Sequence, residues 1–195
     1  MILTNHVLIY VSKEGVNMSI ENTREYQQSI KMRPACDRIL CETFNITSDK
    51  IKRFNRADEL FILDREFHID LILTLNNGTQ ITGQEKALAY EYSTFETFTI
   101  EFYQNRFTGE HGEFFKIASQ FYLHGYSDES GIDFKEWVIL DVLKFMNYAR
   151  KYPLEYFKNH TRAPDRSRAS FFYIRYDEIP DECIIFRKER EPCLF

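Results

Sequence analysis

The stretch FHIDLILTLNNGTQITGQEK, residues 67–86, predicts a β-hairpin at the centre of the fold. In its first half, apolar side chains recur at every second position, as on a strand with one buried face: Ile69, Leu71, Leu73 and Leu75. Asn77 and Gly78 then give a turn signal between two strands. The second half puts four polar side chains on one face: Gln80, Thr82, Gln84 and Lys86.

The hairpin loop can have two lengths, which place different residues opposite each other. A two-residue turn at 77–78 would pair Leu73 with Thr82, and this pairing mixes apolar and polar side chains on both faces. A three-residue loop at 76–78 pairs Leu73 with Ile81, and it puts the glycine at the left-handed position that such loops require. The hydrophobic pattern favours the longer loop, because a slip of one residue moves side chains to the wrong face.

In the favoured register, Asp70 lies opposite Gln84, with Cβ atoms about 5 Å apart. Lys86 follows on the same face, opposite His68, a neighbour that could assist. A carboxylate, an amide oxygen and an ammonium then meet at one place, and oxygen ligands of this kind suit Mg²⁺, or Mn²⁺ as its substitute. Such a metal lowers the pKa of a bound water, and Lys86 would stabilise charge that builds on phosphorus. Glu85 lies on the opposite face, so we expect it not to bind metal.

An Asp on one hairpin strand and a (D/E)xK triplet on the next resembles the signature of the PD-(D/E)xK nucleases. Ile69 stands where that family has Pro, and Gln84 replaces the usual acid; a QxK form is found in Mrr-like restriction enzymes. The resemblance implies a restriction-endonuclease-like domain that cleaves DNA with Mg²⁺, with Asp70 and Gln84 holding the metal and Lys86 assisting catalysis. The family often adds another acid from a preceding helix. Several candidates are present, and the sequence does not choose among them: Glu25, Asp37 and Glu42 before the hairpin, and Glu101 after it.

Outside the hairpin, hydrophobic periodicity and turn residues predict alternating helices and strands. Helices are predicted at 22–31, 34–44, 112–125 and 142–151, with Asp141 capping the last one. Further strands are predicted at 5–12, 59–64, 95–103, 135–141, 168–176 and 182–188. This order indicates an α/β or α+β fold: one domain over residues 1–195 with a central mixed sheet flanked by helices, and with residues 150–195 as a basic C-terminal extension.

Charge is unevenly distributed along the chain. The net charge is −5, which is unfavourable for a nucleic-acid binder, because affinity comes largely from phosphate neutralisation. Residues 148–168, however, hold six Lys and Arg against two acids, a local charge of +4. We expect this segment to contact the phosphates of DNA rather than RNA through five residues: Arg150, Lys151, Arg162, Arg166 and Arg168. A second basic cluster consists of Lys50, Lys52, Arg53 and Arg56.

The sequence leaves two alternatives to a nuclease open. One is a catalytically silent module of the same fold that binds nucleic acid or a protein partner, which Gln84 favours because it contributes no negative charge. The other is an interaction protein with no nucleic-acid role, favoured by the acidic total. No signal peptide or membrane span is evident, so we expect a cytoplasmic protein with reduced thiols rather than a disulfide between Cys183 and Cys193. A homodimer is left open.

Overall fold

The computed structural model describes residues 24–54, 60–163 and 167–188, and it shows a mixed α/β architecture. The helices are α1 Arg24–Phe44, α2 Phe61–Phe67, α3 Glu113–Lys116, α4 Val142–Ala149 and α5 Leu154–Asn159. The strands are β1 Ile51–Arg53, β2 Leu71–Thr74, β3 Gln80–Leu88, β4 Thr97–Asn105, β5 Glu110–His111, β6 Phe121–Ser127, β7 Phe134–Asp141, β8 Thr161–Arg162, β9 Ser170–Arg175 and β10 Ile184–Arg187. The strand predicted at 5–12 lies outside the described residues.

These strands form two sheets. The larger has the order β1-β2-β3-β6-β7-β10, in which β3 and β6 run parallel and the other neighbours run antiparallel. The smaller sheet is antiparallel, with the order β5-β4-β9-β8. The predicted central mixed sheet flanked by helices is therefore confirmed. Among the described helices, none is long and apolar enough to cross a membrane.

The larger sheet is covered on both faces. Helix α1 packs against one face through a stripe of buried side chains: Met32, Ala35, Cys36, Ile39 and Leu40. The smaller sheet and α4 pack against the other face, where Phe98 and Ile100 of β4 meet Tyr122 of β6. Helix α4 begins where the side chain of Asp141 accepts a hydrogen bond from the Lys144 backbone at 3.0 Å, as expected for a capping residue.

The hairpin has the register that the hydrophobic pattern favours. Leu71 pairs with Gly83 and Leu73 with Ile81. The loop has three residues and ends at Gly78, whose φ of 83° lies in the left-handed region that favours glycine. The predicted loop length is therefore confirmed, and Asp70 and Gln84 come to neighbouring positions.

The helix predicted at 112–125 is wrong over most of its length. Only α3 is helical, and β6 follows as a strand that runs parallel to β3. All seven residues of β6 are buried, because both faces of the sheet are covered there. A strand buried on both sides has no polar face, so its apolar residues do not alternate and can match the spacing of a helix.

Two further predictions are corrected. Residues 61–64 belong to helix α2 rather than to a strand. The two helices expected at 22–31 and 34–44 are one helix, α1, with Pro34 inside it. Proline removes one backbone hydrogen bond, but α1 continues because its buried stripe, with Met32 before Pro34 and Ala35 after it, packs on the sheet.

Gly83 leaves room for the ring of Phe121 on the neighbouring strand. A methyl group added at Gly83 would stand 2.1 Å from Cζ of Phe121, whose ring is almost fully buried. We expect Gly83→Ala to lower the free energy of unfolding by about 1–3 kcal/mol, because the ring must leave its place in a packed core. Urea denaturation measures this, with the exposed Gln80→Ala in the same strand as control. Equal stability of both variants would contradict the packing described.

Candidate functional site

Asp70 and Gln84 meet where the hairpin ladder ends. The carboxylate of Asp70 accepts a hydrogen bond from the backbone N–H of Glu85 at 2.9 Å. One terminal atom of the Gln84 amide lies 3.3 Å from each carboxylate oxygen of Asp70 and 2.7 Å from the carbonyl oxygen of His68. When this atom is nitrogen, the amide donates hydrogen bonds to these oxygens. The arrangement therefore brings a carboxylate, an amide and a main-chain carbonyl together.

Lys86 lies two residues further along the same face of β3. Its Nζ sits 4.7 Å from the centre of the Phe171 ring, a cation–π contact with β9 of the smaller sheet. Glu101 pairs with Phe171 across β4 and β9, and the charge of Lys86 acts on its carboxylate. Burial raises the pKa of Glu101 to about 7, although Lys86 opposes the shift. Glu101, proposed from the sequence as an additional acid, therefore lies next to Lys86.

The sequence analysis missed Glu113. It opens α3 and is only 5 % exposed. Its negative charge raises the pKa of Tyr122, Asp70 and Glu101. An acid at the start of a helix is ordinarily explained by the helix dipole, so nothing in the sequence marked Glu113 as unusual.

The acids near Asp70 make it unfavourable for this carboxyl to carry a negative charge. Burial is the main cause that raises the pKa of Asp70 well above its usual range, and the negative charges of Asp64, Glu85 and Glu113 add to it. Burial also lowers the pKa of His68, which caps α2 in a left-handed conformation with φ 50°. Burial therefore favours protonated Asp70 and neutral His68, and the neighbouring acids further favour protonated Asp70.

A separate ion-pair network occupies the opposite face of the larger sheet. Arg53 donates two hydrogen bonds to Glu85, at 2.8 Å each, and one to Asp37 of α1 at 2.5 Å. Burial lowers the pKa of Arg53, but these two acids outweigh burial and raise it above its ordinary value. The Glu85 side chain thus has a structural partner on the face opposite the Asp70 side chain, as its position in the strand predicts. Arg53 likewise belongs to this network rather than to an exposed basic cluster.

The acids proposed on α1 do not approach the hairpin site. Asp37 pairs with Arg53, and Glu42 is exposed on the same helix, which covers the opposite face of the sheet. Glu25 belongs to the first turn of α1, and its side chain lies outside the described residues. Among the candidates named from the sequence, the structure places Glu101 near Lys86 and keeps Asp37 and Glu42 away.

The basic segment reaches the site through Arg162. Arg162 pairs with Phe171, the residue whose ring Lys86 covers, and its guanidinium lies 4.2 Å from the Tyr173 ring. It is exposed, as are Arg168 and the two cations that follow α4, Arg150 and Lys151. Arg166 lies outside the described residues. One cation of the predicted patch is therefore a direct neighbour of the candidate site.

The ligands available for a metal are few. Within residues 24–54, 60–163 and 167–188, no three His, Cys, Asp or Glu side chains lie close enough together to hold a metal ion. The polar groups that converge are one acid, Asp70, the Gln84 amide and the His68 carbonyl, and the surrounding acceptors favour the nitrogen end of the amide at this place. A metal here would depend on neutral protein ligands and on water or substrate to complete its coordination.

The raised pKa of Asp70 predicts how stability depends on pH. The contribution of Asp70 to the free energy of unfolding is fully present below pH 3.8, the ordinary pKa of an aspartate. It is lost as the pH rises through the raised pKa of the folded protein. In EDTA, we expect Asp70→Asn to be more stable than the parent at pH 8 by more than about 1 kcal/mol, with the difference shrinking towards pH 4. Chemical denaturation across this range measures it. The control Asp181→Asn changes a largely exposed side chain, so its free energy of unfolding should vary with pH as that of the parent does. If Asp70→Asn also showed the pH dependence of the parent, the Asp70 carboxyl would not have a raised pKa.

Comparison with known proteins identified no relative. No protein-family model, curated protein or solved structure matches the chain. The resemblance to PD-(D/E)xK nucleases therefore stays a prediction that rests on Asp70, Gln84 and Lys86.

Proposed function

We propose that the protein is a metal-dependent nuclease that hydrolyses phosphodiester bonds, with DNA as the expected substrate. The observation that carries the proposal is the convergence of Asp70 and Gln84, 3.3 Å apart, with Lys86 on the same strand face. A hard oxygen donor pair next to an ammonium suits the hydrolysis of a phosphate ester, because such a site must bind both a metal and phosphate charge.

The donor set fits Mg²⁺ in one of the two orientations of the Gln84 amide. The Gln84 amide can present either of its ends to Asp70 and the His68 carbonyl. With nitrogen inward it donates hydrogen bonds to their oxygens, whereas with oxygen inward it completes an oxygen-only set that is stable only around a cation. When bound, Mg²⁺ would supply a water of lowered pKa and would offset phosphate charge. Asp70 and Gln84 are the side chains that would hold it.

Lys86 and Glu101 supply the remaining chemistry. The Lys86 ammonium is fixed against the Phe171 ring, so it can hold a phosphate oxygen and stabilise charge that builds on it. The Glu101 carboxyl, with a pKa of about 7, exists in both protonation states at neutral pH. It can therefore take a proton from the attacking water or give one to the leaving oxygen.

The cations next to the site indicate a polymeric, negatively charged substrate. Arg162 is exposed beside Phe171 and therefore close to Lys86, and Arg168, Arg150 and Lys151 are exposed in the same basic segment. A nucleic-acid strand whose scissile phosphate lies at Lys86 could place a neighbouring phosphate at Arg162. The rest of the segment would then neutralise phosphates further along the strand.

One observation favours a catalytically silent module instead. In the nitrogen-inward orientation the Gln84 amide nitrogen donates to Asp70 and to the His68 carbonyl, and the raised pKa of Asp70 favours a protonated, uncharged carboxyl. A site of this kind is stable without metal, and it would bind nucleic acid or a protein partner without cutting. The variant Gln84→Glu, which adds a carboxylate at this position, separates the two functions. It should create activity in a silent module, whereas in an active nuclease it should only alter the rate.

Cleavage assays on the full chain test the proposal. With Mg²⁺ or Mn²⁺ we expect nicking or degradation of plasmid DNA, single-stranded DNA or RNA, stopped by EDTA. Asp70→Asn and Lys86→Met should each lower the rate by about 100-fold or more, because each removes a group that holds the metal or the developing charge. Lys135→Met, which removes an exposed lysine stacked on Tyr90, is the control and should keep the activity of the parent.

The outcomes separate the alternatives. Activity that survives both Asp70→Asn and Lys86→Met would point to a different site. An inactive parent that becomes active as Gln84→Glu would identify the silent module. An inactive parent and an inactive Gln84→Glu, each with an intact fold, would end the nuclease proposal.

Salt dependence tests the basic segment. Replacing Arg162, Arg166 and Arg168 with Ala should weaken binding to all sequences about equally, because each arginine that neutralises a phosphate releases counterions. The slope of log affinity against log salt should flatten by up to about 0.9 for each phosphate that the variant no longer neutralises. Fluorescence anisotropy with labelled oligonucleotides measures both quantities.

A charge-matched triple variant serves as the control for that experiment. Arg38, Arg65 and Arg187 are exposed arginines on other elements, and replacing them with Ala removes the same total charge. An exposed ion pair contributes at most about 1 kcal/mol to the free energy of unfolding, so both triple variants should stay close to the parent in stability. Equal salt slopes for the two variants would show that residues 162–168 are only a solvated surface.

A further inference from the structure

His124 of β6 is fully buried, and it joins the two sheets. Its Nδ1 lies 2.7 Å from the hydroxyl oxygen of Tyr176, the residue that follows β9 of the smaller sheet. Its Nε2 accepts a hydrogen bond from the backbone N–H of Thr99 on β4, at 3.2 Å. Both ring nitrogens therefore have a partner, as a buried imidazole requires. The proposed nuclease function gives this residue no role.

The contacts of His124 decide which ring nitrogen carries the hydrogen. A backbone N–H can only donate, so Nε2 must be an acceptor without a hydrogen of its own. In a neutral imidazole the other nitrogen then carries the hydrogen, so Nδ1–H donates to the oxygen of Tyr176. The Thr99 hydroxyl lies 3.1 Å from Nε2 and can donate to the same nitrogen. A protonated ring would set two N–H groups against each other, so this geometry requires the neutral Nδ1–H tautomer.

The surroundings of His124 keep its ring neutral. Burial lowers the pKa of His124 well below the ordinary value of 6.5, and the positive charge of Lys86 on β3 lowers it further. Three phenol rings lie against the imidazole: Tyr122, Tyr126 and Tyr176. Burial raises the pKa of each phenol, so all three are uncharged at neutral pH. The neighbours from β4 and β7, Phe98 and Val138, carry no charge.

His124 also satisfies the backbone at an edge of β4. Strand β5 pairs with β4 only near the end of β4, so side chains of β6 bond to the backbone further back. His124 accepts from the Thr99 N–H, and the Tyr126 hydroxyl donates to the carbonyl oxygen of Thr97 at 2.7 Å. Backbone groups at a buried strand edge are destabilising without a partner, so these two bonds fix β4 to β6.

This link lies next to the candidate site. His124 is the neighbour of Lys86 in the parallel pairing of β3 with β6. Thr99 comes two residues before Glu101 on β4, and such residues share one face of a strand. One hydrogen bond thus joins the neighbour of Lys86 to the strand that carries Glu101.

We propose that His124 is a positioning residue of the candidate site, which as the Nδ1–H tautomer holds β4 on β6 and so sets Glu101 beside Lys86. The inference rests on the proposed function, because Lys86 and Glu101 are the groups that would bind the phosphate and transfer the proton. His124 itself would contact neither substrate nor metal. A neutral imidazole suits this place, because it accepts on one side and donates on the other.

NMR spectroscopy of the ¹⁵N-labelled full chain at pH 6 tests the hydrogen bond without any substrate. We expect Nδ1 of His124 to carry a hydrogen, Nε2 to carry none, and a ¹⁵N–¹⁵N coupling through the hydrogen bond to join Nε2 to the Thr99 backbone nitrogen. Thr99→Val removes the hydroxyl but keeps the backbone N–H, so the coupling should remain. A hydrogen on Nε2 in the parent, or loss of the coupling in Thr99→Val, would overturn the proposal.

Two variants separate positioning from ordinary packing. His124→Phe keeps a ring but removes both nitrogens, and Tyr126→Phe removes the other polar link between β6 and β4. Both should lower the melting temperature, because each leaves a buried backbone group without its partner. Only His124→Phe should move the Hε resonances of Lys86, which the Phe171 ring shifts upfield, towards those of an exposed lysine.

The conservative variant His124→Gln provides a second test if His124→Phe does not fold. Its amide oxygen can accept from the Thr99 N–H, so the Lys86 resonances should lie closer to those of the parent than in a variant without an acceptor, such as His124→Leu. Lys86 resonances that stay in place without the acceptor, or that move equally in Tyr126→Phe, would show that His124 is only structural.

Kinetics connects the link with catalysis. In His124→Phe we expect kcat for DNA cleavage to fall about tenfold or more with KM little changed, because a small misplacement of reacting groups slows the chemical step. Tyr126→Phe should keep the kcat of the parent. An equal fall of kcat in both variants would overturn the proposal. An inactive parent would end the nuclease proposal instead, and the Lys86 resonances would still decide whether His124 positions this residue.

Discussion

The pairing of Leu71 with Gly83 is the constraint on which the arrangement of the molecule depends. It decides which side of the larger sheet each hairpin side chain occupies, because a shift of one residue would exchange the two faces. With this register, the leucines of β2 lie under α1, and Asp70 and Gln84 lie on the side of the smaller sheet. The glycine at 83 also admits the Phe121 ring, so β6 can lie against β3 and bring its own residues to the same side.

Buried acids on one face of the larger sheet are paired with a cation, and those on the other face are not paired among the described residues. On the side of α1, Arg53 is paired with Glu85 and Asp37, so the acids there have a cation with well-formed hydrogen bonds. On the other side, the charge of Glu113 acts on both Asp70 and Glu101, and none of these three acids forms a comparable ion pair among the described residues. The first arrangement holds α1 on the sheet. The second raises the pKa of Asp70 and Glu101 and so costs stability, which is expected of a functional site rather than of a structural one.

The sequence was sufficient where local rules decide the structure and insufficient where tertiary contacts do. Turn chemistry and alternation predicted the hairpin register, and with it the meeting of Asp70 and Gln84. The same periodicity misread β6 as a helix, because a strand buried on both faces has no alternation to detect. Glu113, whose charge raises the pKa of Asp70, lies in the segment that this error covers. Arg53 could not be assigned from sequence either, since its partners lie 16 and 32 residues away.

The presence of Gln at position 84 becomes understandable once Glu101 and Glu113 are included. The negative charges of Asp64, Glu85 and Glu113 already add to burial in raising the pKa of Asp70, and Lys86 and Lys116 only partly oppose the raised pKa of Glu101. A Glu at position 84 would add a further negative charge next to Asp70. The raised pKa values of Asp70 and Glu101 show that the site already disfavours this much charge. In the proposed nuclease, a neutral ligand at 84 therefore limits the negative charge that a divalent cation would have to offset.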